Sequence, residues 1–242
     1  MDKDARLHEE NMSLEKNEEM DNFVDWMYEN IQPHIGDTVI EAGAGIGTYS
    51  GKAASDGKEV YAVEYSNDYV ELLKNKFADK EKLHIIHDSI TNNSFVEDLK
   101  PHGIDSVFSL NVLEHVEDDQ EALDNFYKVL KPGGTAVVLV PAHPFLFNTL
   151  DTAVGHIRRY SKKEFKGKIS KAGFNIDELY YFNFPAIVGW FLNGNMLKRD
   201  KIEPSATAAF NKIVPIARWI EKVILRRKIG ISLIAVINKP KQ

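Results

Sequence analysis

The stretch 38–49 constrains this chain most. Thr38, Val39 and Ile40 form a β-branched run that leads into Glu41, Ala42 and three glycines at alternate positions, Gly43, Gly45 and Gly47. Such a run reads as a buried parallel strand, and the glycines as a tight turn into the next helix. Glycine is needed where the backbone turns sharply and where a ligand must approach closer than a Cβ permits. The helix opens near Thr48 and points its free N–H groups and positive dipole end at that ligand.

The spacing narrows the ligand. A dinucleotide fingerprint needs Gly or Ala at position 48, where Thr48 stands. The pattern present is Glu-x-Gly-x-Gly-x-Gly. An acid at the strand tip repels a pyrophosphate and suits a ligand with an ammonium and a sulfonium, which describes S-adenosylmethionine. A nicotinamide-dependent oxidoreductase on a similar sheet is the disfavoured rival.

The next strand, Glu59–Val63, ends in Glu64. This acid lies about 20 residues beyond the first glycine, where doubly wound folds place the carboxylate that accepts ribose hydroxyls. Tyr65 follows and is placed to stack on the adenosine. Strand three, Leu83–His87, ends in Asp88-Ser89, where the carboxylate either accepts the adenine amino group or forms a turn. Strand four, Ile104–Leu110, delivers Asn111, also expected beside the cofactor.

Helices read between these strands at 48–55, at 67–78 with Ser66 as cap, and after Asp118 or Asp119. Thr135–Val140 is strand five. Alternation with short links requires a parallel sheet with right-handed crossovers and helices on both faces. Met20, Phe23, Val24, Met27 and Ile31 recur at helical spacing before Pro33, and residues 1–36 read as an N-terminal helical lid. The whole of 1–242 reads as a single domain.

Zero cysteines exclude disulfides and thiolate metal sites. His84 and His87 lack an acid–histidine partner set at zinc spacing, so no metal is expected. Residues 1–20 are too charged for a signal peptide, and no apolar run approaches the ~20 residues of a membrane span, which fits a cytoplasmic location. A formal net charge of −6 argues against nucleic acid as a partner.

These residues together resemble the class I S-adenosylmethionine-dependent methyltransferases. The resemblance rests on the glycine loop, Glu64, Asp88-Ser89, Asn111-Val-Leu-Glu-His115 and Leu130-Lys-Pro-Gly-Gly134. It is similar to the small-molecule branch that includes ubiquinone-biosynthesis methyltransferases. Val140 to Ser161 looks like an uncharacterised prokaryotic subgroup. The resemblance implies an α/β, Rossmann-like, doubly wound seven-stranded sheet in the order 3-2-1-4-5-7-6, strand seven antiparallel. Glu178–Phe184 and Ile231–Ile237 supply strands six and seven.

It further implies methyl transfer to a small organic acceptor, at oxygen of a natural-product or lipid-like metabolite. A catalytically silent cofactor-binding module is the alternative of another class. A hydroxyl acceptor needs a base, and His143, His115 and His156 follow strands four and five, with His143 the first choice. Gly155-His-Ile-Arg-Arg-Tyr160 gathers Arg158, Arg159 and Tyr160 as residues to hold an anionic acceptor group, or to anchor a lid near Asp151.

Residues 185–230 form a helical insertion between strands six and seven. They carry nine Lys/Arg against three Asp/Glu, a net +6. This segment reads as a packed cap, an acceptor-pocket roof, a peripheral lipid contact or a dimer contact. Monomer and homodimer both remain open.

Overall fold

The computed structural model describes residues 20–199 and 204–241. The elements run α1 (Asp21–Tyr28), β1 (Thr38–Ala42), α2 (Thr48–Ser55), β2 (Glu59–Glu64), α3 (Asn67–Lys76) and β3 (Leu83–His87). They continue with α4 (Asn93–Leu99), β4 (Ser106–Leu110), α5 (Asp119–Val129), β5 (Thr135–Pro141), α6 (Thr149–Ala153) and α7 (Lys162–Lys171). β6 (Asn175–Phe182), α8 (Pro185–Trp190), α9 (Pro204–Trp219) and β7 (Ser232–Asn238) complete them.

The strands form one sheet in the order β3-β2-β1-β4-β5-β7-β6. β1 to β5 pair in parallel, while β7 runs antiparallel between β5 and β6. Alternate side chains along each strand feed two cores. Ile40, Val63, Val107 and Val138 face Phe95, Phe126 and Phe165 of α4, α5 and α7. Val39, Ala62, Phe108 and Leu139 face Trp26, Leu73 and Val214 of α1, α3 and α9. Burial on both sides explains why these strands are almost wholly apolar.

α1 is a core helix: Val24, Trp26 and Met27 are buried, and Phe23 packs on Phe210 of α9 at 5.7 Å. The lid expected over 1–36 is therefore not what residues 20–36 form; residues 1–19 lie outside the described residues. β6 starts at Asn175, three residues before the expected Glu178, and ends at Phe182, two before Phe184. It is an edge strand with a bulge between Ile176 and Glu178, and its exposed Asn175, Asp177 and Glu178 hide the alternation.

The segment between β6 and β7 is helical, as expected. α8 runs on into a π turn at Phe191–Met196, and α9 into another at Ile220–Ile224. No helix among the described residues is long and apolar enough to cross a membrane.

Candidate active site

Strand order reverses between β1 and β4, so a crevice opens above their carboxyl ends. The β1 tip enters it through the glycine loop. Gly43, Gly45 and Gly47 all have positive φ, at 84°, 52° and 79°. The Gly43 and Ala44 N–H groups bond the Val63 carbonyl at 2.9 and 3.0 Å, which lays the loop on β2. Gly43 also abuts Val112, so the loops after β1 and β4 meet there.

Glu64 lies at the neighbouring tip. Its carboxylate accepts the Gly45, Tyr65 and Ser66 N–H groups at 2.9, 3.0 and 2.9 Å. Ser66 thus contributes its backbone rather than the expected side-chain cap. Three fixed donors leave the carboxylate oriented with lone pairs to spare for hydroxyls. Tyr65, beside it, is 70% exposed.

Glu41 is buried, and the Ser50 hydroxyl of α2 donates to its carboxylate. Burial pushes its pKa up to about 8; the Ser50 bonds pull the other way, and the Glu64 charge adds to the rise. A buried acid of this kind fits a cationic ligand group. Glycine loop, Glu41 and Glu64 thus suit the ammonium and ribose of S-adenosylmethionine.

Asp88, at the β3 tip, braces a turn. Its Oδ1 accepts Ser89 N–H and Asn92 Nδ2, and its Oδ2 accepts Ser94 Oγ, all at 2.7 Å. Ser89 Oγ lies 2.9 Å from Thr91 Oγ1. Both residues brace the turn into α4. Asn111 is exposed at the β4 tip, in a left-handed turn with φ 53°.

Above β4 and β5 a second cluster assembles. Asp151 Oδ1 accepts His156 Nδ1 at 2.8 Å and Arg159 Nε at 2.7 Å. Its Oδ2 accepts the Asn148 N–H at 3.1 Å and Trp190 Nε1 at 3.2 Å. Burial alone would raise the Asp151 carboxyl; the His156 and Arg159 bonds outweigh it and hold it low. His156 Nε2 then faces Glu114 Oε1 at 3.6 Å.

Glu114 is 0% exposed, and neither carboxylate oxygen has a hydrogen-bond partner among the described residues. Burial raises it to about 7, although the charges of His156 and Arg159 oppose the rise. His115 packs edge-on against His156 at 4.9 Å between ring centres. Desolvation of its ring, then the His156 charge, pushes it down to about 4. Glu114, His115 and His156 each place a ligand atom within 4.8 Å of the others, a donor set that a divalent cation can use and that the sequence reading did not anticipate.

The remaining expected residues stand elsewhere. His143 bonds the Gly230 carbonyl through Nε2 at 2.9 Å and stacks on Tyr181 at 5.1 Å, which commits it to the β6–β7 side. Arg159 is 4% exposed, bound to Asp151 and to the Ala142 carbonyl at 3.0 Å, so it takes the anchoring role. Arg158 reaches Asp119 Oδ2 at 3.1 Å and the Glu117 carbonyl at 2.9 Å. Tyr160 is fully buried, with its hydroxyl 2.8 Å from Asp119 Oδ2. Residues 156–160 therefore form a strap that pins the loops after β4 and β5, and Arg159 and Tyr160 are withheld from an acceptor.

Sequence reasoning passed over Glu114, Asp151 as the orienting acid, and Trp190. The signal for the first two was present: Glu114 precedes His115, and Asp151 precedes His156 by five residues.

Comparison with known proteins points the same way as the glycine loop and the two strand-tip acids. Residues 40–138 match the family described as Methyltransferase domain. The chain is 29% identical over 108 residues to demethylmenaquinone methyltransferase of Clavibacter sepedonicus, a match covering 45% of this chain and 42% of that relative. The matched stretch thus spans less than half of that curated relative's length.

Among solved structures, a geranyl diphosphate methyltransferase bound to GPP and sinefungin superposes with a TM-score of 0.62 at 12% identity, over 88% of this chain and 78% of that one. The [4+2]-cyclase SpnF gives 0.61 at 15% identity, over 89% and 80%. These two likenesses establish the fold alone. Over residues 40–138, less than half of its length, the chain is similar to methyltransferase domains, and its crevice suits S-adenosylmethionine as cofactor.

Proposed function

We propose that this protein transfers a methyl group from S-adenosylmethionine to the oxygen of a small organic acceptor, a natural product or lipid-like metabolite. The observation that carries this reading is the Asp151–His156–Glu114 arrangement above β4 and β5. It supports the reading because it gathers proton-handling groups on the loops after β4 and β5.

S-adenosylmethionine, when bound, supplies a methyl already activated as a sulfonium. The protein then has to position the reactants and handle one proton. Asp151 holds the His156 ring through Nδ1 and leaves Nε2 on the side of the buried Glu114, 3.6 Å away. A hydroxyl acceptor lodged between His156 Nε2 and Glu114 would pass its proton to His156 as its oxygen is methylated. Asp151 stabilises the resulting imidazolium, and Glu114 lies close enough to share the proton. His156 thereby displaces His143 as first choice for the base.

Thr48, where a dinucleotide fingerprint needs Gly or Ala, and Glu41 at the β1 tip count against the oxidoreductase. The silent-module alternative is separated by turnover. Formation of S-adenosylhomocysteine is followed with a panel of hydroxylated acceptors. His156→Ala is expected to lower kcat by ~100-fold or more while S-adenosylhomocysteine affinity stays unchanged. Equal turnover by the variant would remove His156 from the mechanism.

A further inference from the structure

The helical insertion leaves an apolar surface open beside a basic one, and the two lie on a single helix. α9 packs on the domain through Val214 and Ala217, and its continuation turns Glu221 inward to accept the Phe184 N–H at 3.0 Å. The opposite side is apolar: Ile216, Trp219, Val223 and Ile224 are 66%, 58%, 53% and 59% exposed. Arg218 and Lys222 stand four residues apart on the flank, followed by Arg226 and Lys228 in the closing turn, all exposed.

Between residues 204 and 230 there are six Lys/Arg and one acid, the buried Glu221. Arg218 pairs with Glu29 and Arg227 lies 3.9 Å from Glu178, which leaves a net cationic turn on a chain of net charge −6. No carboxylate among the described residues lies within ion-pair distance of Lys222 or Arg226.

A helix that buries one side in its domain has no intramolecular use for a second apolar side. An aromatic residue between apolar and basic arcs suits the boundary between acyl chains and headgroups, since its ring tolerates both. Basic residues beside an apolar face match an anionic lipid surface. A second copy of the same face would set this net cationic turn against itself, which disfavours a symmetric dimer there.

We propose that the exposed face of α9 docks the protein on an anionic lipid membrane, with Ile216, Trp219 and Val223 entering the headgroup layer and Lys222 and Arg226 contacting the lipid phosphates. The insertion that carries this face is rooted at the active site. Trp190 of α8 donates to Asp151, and its ring lies 4.8 Å from the Arg159 guanidinium.

The test is sedimentation of the full chain with phosphatidylcholine vesicles made with and without phosphatidylglycerol, at low and high salt. The expected result is binding only to the anionic vesicles, weakened by salt. The Lys222→Glu/Arg226→Glu variant should bind them about tenfold or more weakly, and Ile216→Asp/Val223→Asp should lose binding. Both variants should keep wild-type affinity for S-adenosylhomocysteine, a control that separates this proposal from the cofactor reading. Absence of wild-type binding to anionic vesicles would overturn it. So would a solution dimer that Ile216→Asp/Val223→Asp converts to monomer.

Discussion

Glu41 joins the packing of α2 to the chemistry of the crevice. Its carboxyl, buried and raised to about 8, is mostly protonated at pH 7 in the ligand-free protein. A cationic amino group nearby favours the ionised form, so ligand binding should lower the Glu41 pKa and release a proton. The sign follows: affinity for S-adenosylhomocysteine should rise as pH rises from 6 toward 8, then level off. Calorimetry in buffers of different ionisation enthalpy should show proton release at pH 7, and Glu41→Gln should abolish both effects. Proton uptake at pH 7 would contradict this role for Glu41.

Residue-level reading was strongest where chemistry and backbone coincide, as at Gly43, Gly45 and Glu64. It was weakest where a side chain's partner lies far along the chain. His143 resembles a loop base until Gly230 and Tyr181 come beside it. Arg158, Arg159 and Tyr160 resemble an anion site until Asp119 and Asp151 meet them.

At the scale of elements, the glycine loop is held by the helices around it as much as shaped for a ligand. A Cβ on Gly47 would lie 2.5 Å from both Leu73 Cδ2 and Phe77 Cε2, at a backbone φ of 79°. Gly47→Ala should therefore cost about 2–4 kcal/mol of unfolding free energy, from left-handed strain plus overpacking against α3. Urea denaturation checks this, and a loss below about 1 kcal/mol would mean that α3 shifts freely.

Helix and strand identity was legible because apolar periodicity is local. β6 was read late because an edge strand with a bulge exposes the very residues that would mark it. α6 and the strap escaped because their order comes from Asp151 and the Asn148 cap rather than from their own pattern.

For the whole molecule, the sheet order places the β1, β2 and β4 tips around one crevice, and the loops after β4 and β5 carry the Asp151 cluster. β7 and β6 extend the sheet, and the insertion leaves β6 at the same carboxyl edge, where Trp190 meets Asp151 and α9 keeps one side exposed. Long-range placement of this sort follows from topology, and the 3-2-1-4-5-7-6 order was available only through resemblance to a family.

The central claim is that the β1–β2–β4 crevice binds S-adenosylmethionine through Glu64 and the glycine loop. Calorimetric titration with S-adenosylhomocysteine, with NAD(H) as control, tests it most directly. Saturable binding of S-adenosylhomocysteine, lost in Glu64→Ala, with no NAD(H) signal, is the predicted result. NAD(H) binding without S-adenosylhomocysteine binding would contradict the account and leave only the fold.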